Sequence, residues 1–452
     1  MMVPTYPMIR KYMSLLDITD NEGRTAAKDE QQTCLRKVVL SSMIGNALEW
    51  YDFALYGYFS TLLAKLFFPT GDMVTSLLAT YGVFAAGFFM RPLGGLIFGY
   101  IGDRVGRKTA LLWSIHLMSF PTFAIACLPT YEHIAWGAPL LLTIIRLLQG
   151  VSMGGEFTGS IIFIVEHAEG RRRGFWGSFA PLSAILGILL GSGLAALLSY
   201  TLSPSELSTW GWRVPFSLSL LGGWLGSYMR QALGDPKAFE SSKKKHKPKA
   251  RLLYQELFTR HRKSLITVFL IDLLVAIGFY IVVTFLVGYL EQFIGLSRTQ
   301  TLTISTLSMA VFGLGILFSG SLIDQMGRKI LMLGAALGFL FLSIPLFYGF
   351  LSGDLYTIAF CQMVISFLMG TYFAVIPAVL VESFPARVRY SGISIAHNLS
   401  MAIFGGSAPF VVTWMIGVSS SLLAPAFYLM VASLGAIVGL VLLKDRTLAP
   451  LE

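Results

Sequence analysis

GYIGDRVGRK, at residues 99–108, is the most informative stretch of this sequence, because it returns in outline as GSLIDQMGRK at residues 320–329. The first glycine, the aspartate and the closing Gly-Arg-Lys keep their places in both copies. Gly99 corresponds to Gly320 and Lys108 to Lys329, so the shift along the chain is constant over the motif. A constant shift of this kind suggests an internal duplication of the chain.

A second motif repeats in the same way, with a glutamate followed by two arginines. Its members are Glu166, Arg171 and Arg173 in the first copy and Glu382, Arg387 and Arg389 in the second. The shift from each member to its counterpart is again constant, and it is nearly the same as in the first motif. Two separate motifs with nearly one period indicate two similar halves, an arrangement that is typical of secondary transporters.

Composition indicates that these halves are embedded in a membrane. Of the 452 residues, 55% are hydrophobic and only 13% are charged, whereas soluble domains are about one quarter charged. Stretches of about 20 apolar residues can span a bilayer, and in lipid they must be helical. We therefore predict an all-α membrane protein with twelve transmembrane helices in two pseudo-symmetric six-helix bundles. The predicted spans are 37–63, 74–101, 109–128, 138–166, 175–200, 212–231, 264–292, 300–323, 329–350, 355–382, 391–417 and 422–443.

The net charge is +10, and the distribution of the basic residues along the chain agrees with a membrane topology. Lysine and arginine cluster in every second loop, and Arg298 is the exception in the intervening ones. This positive-inside pattern places both termini in the cytoplasm, and it argues against nucleic acid as a partner. We expect a cytoplasmic tail at 1–35 without a leader, bundles at 36–233 and 264–444, a basic cytoplasmic linker at 234–263 and a short tail at 445–452.

The repeated loops are candidates for a gate that breaks when the halves rock. Glycines permit a close approach or a tight turn, and the aspartates lie where a helix N-terminus or an arginine can bind them. Alternatively, the basic residues only mark the cytoplasmic side. The candidate gate residues are Gly99, Asp103, Gly106, Arg107, Lys108, Glu166, Arg173, Asp324, Arg328, Glu382 and Arg387.

Charges inside the spans are candidates for proton coupling and for substrate binding. Glu49 and Asp52 stand three positions apart on one helix, where they could carry a proton or pair with an arginine. Arg91 could bind a substrate carboxylate or one of these acids. Arg146 and Glu156 are assigned to proton coupling, although Arg146 could also be structural.

Other polar residues within the spans could line the cavity. Tyr51, Tyr56, Tyr280 and Asn398 are candidate substrate-binding residues, Tyr372 could also line the cavity, and Asp272 lies within a span. His397 could titrate near neutral pH or form a hydrogen bond between helices.

Several classes of protein are excluded by missing motifs. The residue before Lys108 is Arg107, so the phosphate-loop pattern fails there. The three cysteines have no metal-ligand spacing, and no nucleophile–base arrangement is visible. We expect no enzyme activity, no metal, no cofactor and no ATP, and instead an ion gradient as the energy source.

The motifs together resemble a known family. Residues 99–108 are similar to the signature loop of the major facilitator superfamily. GNALEWYDF at 45–53, FAAGFFMRPLGG at 84–95, RLLQG at 146–150 and WGWRVPF at 210–216 resemble its metabolite:proton symporter family. Members carry proline, betaine, α-ketoglutarate, citrate or shikimate, and the chain is similar to both the proline/betaine type and the α-ketoglutarate type. By this resemblance Arg213 joins Arg91 as a candidate substrate ligand.

The sequence thus predicts a proton-coupled symporter that takes up a small organic acid or zwitterion by alternating access. We expect it to act as a monomer in the bacterial inner membrane. Two alternatives stay open: an exporter of metabolites or drugs on the same fold, and a membrane sensor that does not transport.

Overall fold

The computed structural model describes residues 39–40, 42–104, 107–154, 156–168, 172–232, 250–385, 388–447 and 449. Within these ranges the regular structure is entirely helical. The first part of the chain contains α1 (42–58), α2 (Ser60–Phe67), α3 (Met73–Phe89), α4 (Arg91–Arg104), α5 (Arg107–Cys127), α6 (Tyr131–Ile134), α7 (Gly137–Ser152), α8 (Glu156–His167), α9 (Arg173–Gly177), α10 (Phe179–Thr201), α11 (Pro204–Glu206) and α12 (Arg213–Ala232).

The second part begins with a helix that the sequence analysis had assigned to a linker. It contains α13 (Ala250–Arg260), α14 (Arg262–Tyr280), α15 (Leu286–Gln292), α16 (Arg298–Met326), α17 (Arg328–Phe350), α18 (Leu355–Glu382), α19 (Arg389–Ser400), α20 (Ala408–Ser419) and α21 (Ala424–Leu442). The predicted linker at 234–263 is therefore helical from residue 250 onward, and most of its earlier part lies outside the described residues.

Nine helical stretches in the described part of the chain are long and apolar enough to cross a membrane. They are Met73–Gly95, Gly137–Glu166, Arg173–Thr201, Arg262–Gln292, Arg298–Met326, Arg328–Phe350, Leu355–Glu382, Arg389–Ser419 and Ala424–Leu442. Each coincides with a predicted span. The other predicted spans, at 37–63, 109–128 and 212–231, are also helical where they are described. The fold is a multi-pass helical membrane protein.

Glycines permit the closest helix contacts. A Cβ atom on Gly150 of α7 would overlap the carbonyl oxygen of Gly87 in α3, and one on Gly187 would overlap that of Ala47 in α1. Backbones can approach this closely only where the side chain is a hydrogen atom. The contacts fix α3 against α7 and α10 against α1.

The glycine of the second repeated loop makes a tight turn. Gly327 has φ +90° between the end of α16 and the start of α17. Because this backbone conformation is strained for residues with a Cβ atom, glycine is required here. The predicted turn at Gly327 is confirmed, and it brings Asp324 and Arg328 together on either side.

Candidate functional site

Three interruptions of helical geometry surround the centre of the protein. The first lies between α3 and α4, where Met90 precedes Arg91 and Pro92. Proline lacks the N–H that would continue the helix ladder. The other two are π-helical turns at Ile281–Phe285 and Met401–Gly405. Such turns often occur at functional sites, and here one directly follows Tyr280.

A small central cavity lies beside these interruptions. Its lining is mainly aromatic, and Arg91 is the only lysine or arginine among its described lining residues. The lining residues are Trp50, Arg91, Phe157, Val275, Phe279, Tyr280, Phe373, His397 and Met401. They come from α1, α4, α8, α14, α18, α19 and the π-helical turn after α19. Residues from both halves of the sequence therefore build one chamber.

Arg91 is held at the cavity by an aromatic neighbour. It is almost fully buried, and its guanidinium carbon lies 5.5 Å from the centre of the Phe88 ring. The Phe88 ring in turn meets the Tyr280 ring edge-on at 4.9 Å. Arg91 Nε has no hydrogen-bond partner among the described residues. A buried guanidinium with an unused donor can bind a carboxylate strongly.

The predicted proton-coupling residues separate into two groups. Glu49 is buried, and its charge, like those of Arg91 and Arg146, lies close enough to act on the Tyr280 hydroxyl. Asp52 is also buried, but its carboxylate lies beside Ser119 and Thr122 of α5. The two acids share a helix yet meet different neighbours.

Arg146 lies within an aromatic cluster. Its guanidinium carbon is 4.3 Å from the centre of the Tyr56 ring and 5.1 Å from that of Phe53, and Nη1 donates a 2.7 Å hydrogen bond to Gln149. Cation–π contacts of this kind stabilise a buried arginine. These contacts favour the structural alternative for Arg146. Its assignment to proton coupling stays a prediction.

Four predicted substrate-binding residues are not among the described residues that line the cavity. Three of them bond to backbone carbonyls of other helices. The Tyr51 hydroxyl donates to the Pro215 carbonyl, and the Tyr56 hydroxyl donates to that of Thr80, each at 2.9 Å. Asn398 donates to the Gly154 carbonyl at 3.3 Å.

Arg213 is the fourth of these residues. Its Nη1 donates to the carbonyls of Ala126 and Leu128 at 2.6 and 2.7 Å, and its guanidinium carbon lies 4.4 Å from the centre of the Trp212 ring. These partners hold the guanidinium at the end of α5, and Arg213 is not among the described residues that line the cavity.

Several predicted residues fall where the structure gives no side-chain description. Gly99 lies in α4, but the side chains of Asp103, Arg107, Lys108 and Glu156 are outside the described part, and so are Gly106, Arg171 and Arg387 altogether. The first-half gate loop therefore stays a prediction.

The second repeated loop forms a cluster at the basic end of the helices. Asp324 accepts hydrogen bonds from the backbone N–H groups of Gly174 and Phe175 at 3.0 and 2.8 Å. These residues form the first turn of α9, so the carboxylate binds the positive end of a helix dipole. Asp324 comes from α16, and the contact therefore joins the two halves of the sequence.

Three ion pairs strengthen the same region. Arg328 binds Glu382 through two hydrogen bonds, of 2.9 and 3.3 Å, and binds Asp324 at 2.8 Å. Arg173 of α9 lies 4.0 Å from Glu382. We call Glu166, Arg173, Asp324, Arg328, Glu382 and Arg389 the basic-end lock.

Glu166 and Arg389 complete this lock. Arg389 at the start of α19 donates a 2.6 Å hydrogen bond to Glu166 of α8, and so joins the halves a second time. The sequence analysis marked both as repeat members but did not predict that they pair.

A second lock, which the sequence analysis missed, lies at the other end of α16. Arg298 donates to Thr61 at 2.9 Å, to the Tyr58 carbonyl at 3.0 Å and to Glu291 at 3.3 Å. Glu291 also accepts a 2.8 Å bond from Thr61. We call Tyr58, Thr61, Glu291 and Arg298 the far-end lock. The sequence feature that could have revealed this lock is Arg298, because it is the exception to the alternation of basic and non-basic loops.

The two locks lie near opposite ends of α16. Arg298 begins α16 and Asp324 lies in its last turn, and this helix has 29 residues. An α-helix of that length spans roughly 43 Å, more than the hydrocarbon core of a bilayer. Both locks join early helices to late ones.

A buried histidine–aspartate pair lies beside the cavity. The sequence analysis named both residues but did not predict that they pair. The His397 Nδ1 atom lies 3.0 Å from the Asp272 Oδ2 atom, and both residues are buried. The hydrogen-bond alternative for His397 is confirmed. No group of three or more candidate metal ligands occurs among the described residues.

Comparisons with known proteins agree with this architecture. Residues 38–259 match the family model for "Sugar (and other) transporter", and residues 268–451 match that for the Major Facilitator Superfamily. A glycine betaine/proline/ectoine/pipecolic acid transporter, OusA, from Dickeya dadantii is 34% identical over 431 residues, covering 92% of this chain and 85% of that protein. The proline/betaine transporter of Escherichia coli K12 is 33% identical with the same coverage.

Solved structures give the same fold. A proton:xylose symporter bound to 6-bromo-6-deoxy-D-glucose superposes with a TM-score of 0.74 at 17% identity, covering 92% of this chain and 97% of that one. A partially occluded inward-open form of the xylose transporter from E. coli gives 0.71 at 19% identity, covering 91% and 98%. With relatives that are 33–34% identical over most of its length, the chain belongs to the major facilitator superfamily of membrane transporters.

Proposed function

We propose that this protein is a proton-coupled symporter that imports a small zwitterion carrying one carboxylate and one ammonium group, such as proline or betaine. The observation that carries the proposal is the cavity, in which the Arg91 guanidinium stands among aromatic rings. A guanidinium binds the carboxylate, and aromatic faces attract an alkylated ammonium through cation–π contacts. The names of the 33–34% identical relatives point to the same substrate class.

A dicarboxylate such as α-ketoglutarate fits the described cavity less well. Arg91 is its one described lysine or arginine. Arg213 is bonded to two carbonyls elsewhere, and Arg146 is bonded to Gln149. A second carboxylate would therefore stand against aromatic rings, where desolvation of its charge is unfavourable.

The transport cycle in this proposal is alternating access by two six-helix bundles, 36–233 and 264–444, with twelve transmembrane helices. The basic-end lock faces the cytoplasm together with both termini. Opening of the far-end lock admits substrate from outside, and opening of the basic-end lock releases it. The protein acts as a monomer in the bacterial inner membrane, without a cofactor.

Counterflow in proteoliposomes tests the substrate class. Vesicles loaded with unlabelled proline, betaine, α-ketoglutarate or xylose are diluted into a trace of the same labelled compound. We expect exchange of proline or betaine at least tenfold above that of protein-free vesicles, and no exchange of α-ketoglutarate or xylose. Exchange of α-ketoglutarate alone would refute the zwitterion assignment.

A further inference from the structure

We propose that Asp272 and His397 form the proton-binding site of this transporter. The inference rests on the proposed function, since it names where the coupled proton is bound. The pair joins α14 to α19, and one of its members, His397, lines the cavity. It differs from the acids of α1 that the sequence analysis assigned to proton coupling.

The geometry places the carboxylate behind the imidazole. Asp272 is fully buried, and its second oxygen, Oδ1, accepts no hydrogen bond from the described residues. The His397 ring stacks on Phe157, with ring centres 5.6 Å apart and planes at 28°. An ionised Asp272 holds the imidazole proton at Nδ1, so Nε2 is the nitrogen that takes up the transported proton. Aspartate thus orients histidine, as in other proton-transfer pairs.

Charge explains why this pair should bind and release a proton. Without the proton, the pair carries one net negative charge in a site shielded from water, which is unfavourable. With it, imidazolium and carboxylate form a neutral pair. Histidine ordinarily changes its charge between pH 5 and 8, the range that a membrane proton gradient covers.

The neighbouring helices bring few other ionisable groups to this depth. Tyr372 of α18 lies close to Asp272, and its hydroxyl donates to the Ile271 carbonyl at 2.9 Å. Among the described residues, the charged groups that act on Tyr280 of α14 at the cavity are Arg91, Glu49 and Arg146. Among the described ones, Arg91 carries the compensating positive charge on the cavity wall.

Arg91 links the proton to the substrate. In the empty cavity its positive charge favours the deprotonated, negative pair. When a substrate carboxylate binds Arg91, that compensation is lost and protonation of His397 becomes more favourable. Substrate and proton therefore bind with positive coupling, and by reciprocity a lower pH raises substrate affinity.

The experiment measures proton movement and substrate exchange separately. Wild-type protein, the His397→Gln variant and the Asp272→Asn/His397→Gln double variant are reconstituted, and proline and betaine are the substrates. The double variant removes both ionisable groups together and so leaves no unpaired buried charge. We expect the variants to lose uphill uptake and substrate-induced proton uptake by a larger factor than they lose exchange. As the pH is lowered, wild-type affinity for the substrate should rise by at most about tenfold per pH unit for one linked proton.

The control is His116→Gln, which changes a histidine on α5 that contacts Ser227 at 3.3 Å and does not line the cavity. It should keep wild-type coupling. Proton-driven uptake that survives in the double variant overturns the inference, as does equal loss of exchange and coupling in both variants. Wild-type protein that exchanges substrate without moving protons would instead overturn the proposed function itself. For variants that fail to fold, the pH dependence of wild-type affinity decides, and a flat profile overturns the proposal.

Discussion

Neutralising Asp324 should open the basic end of the protein. Asp324 accepts two backbone hydrogen bonds from α9 and one from Arg328. In Asp324→Asn one oxygen remains, while the amide group presents donors to partners that are themselves donors. Hydrogen bonds to charged groups contribute about 1.5–3 kcal/mol each, and a charge at a helix N-terminus adds up to about 1 kcal/mol at exposed sites.

Because part of this is retained by asparagine, we expect a net loss of about 2–3 kcal/mol from the closed state. That corresponds to a roughly 30- to 150-fold change in the ratio of closed to open protein at this end. Such a change turns a minor open state into a major one.

Electron–electron double resonance can measure this shift. Spin labels are attached at Arg172, before α9, and at Ser321 of α16, which are both exposed, in a background without native cysteines. In the wild-type protein, the distribution of distances between the two labels should be dominated by one short distance. In Asp324→Asn, a longer distance should appear as a major population.

Asp354→Asn is the matched control, because Asp354 also accepts a helix N–H, from Thr357 at 2.8 Å, but within α18 alone. Because asparagine and aspartate are similarly good N-cap residues, it should leave both the stability and the distance distribution nearly unchanged. An unchanged distribution in Asp324→Asn would refute the lock.

Three further substitutions test the cavity, the far-end lock and the helix packing. Arg91→Ala should reduce counterflow at least about 30-fold, since truncating a buried charged partner costs about 2–5 kcal/mol, while the protein stays monodisperse in size-exclusion chromatography; normal counterflow would remove Arg91 from the site. Glu291→Gln should weaken the far-end lock. Combined with Asp324→Asn, it should partly restore the short distance between the two spin labels, because the two locks stabilise opposite conformations. A further lengthening of that distance in the double variant would contradict this opposition. Gly150→Ala should lower stability by about 1–3 kcal/mol through overpacking, whereas Gly159→Ala, whose Cβ would have no neighbour within 4 Å, should not; equal melting temperatures would contradict the close contact.

The basic-end lock shows which contacts could be predicted from the sequence and which could not. The duplicated Asp and Arg residues predicted a gate, and the structure brings Asp324, Arg328 and Glu382 together. Their spacing along the chain is short or repeated, so a pattern could reveal them. It could not reveal that Glu166 pairs with Arg389, since that depends on how α8 and α19 are rotated against each other.

The lining of the cavity could be predicted much less well from the sequence. Hydropathy identified the helices, but it does not say which face of a helix turns toward the centre. Arg213 was expected at the substrate from the family resemblance, whereas its partners in the structure are carbonyls at the end of α5. Asp272 and His397 lie far apart along the chain, in α14 and α19, and only tertiary packing brings them into contact.

The central claim is that a proton gradient drives uptake of a zwitterion, and accumulation in proteoliposomes tests it most directly. Vesicles with an internal pH of 7.5 are placed at an external pH of 6.0 with labelled proline or betaine. The account predicts transient accumulation above the external concentration, which a protonophore abolishes and an equal pH on both sides prevents. Uptake that only reaches equilibrium, at the same rate with and without the gradient, would contradict it.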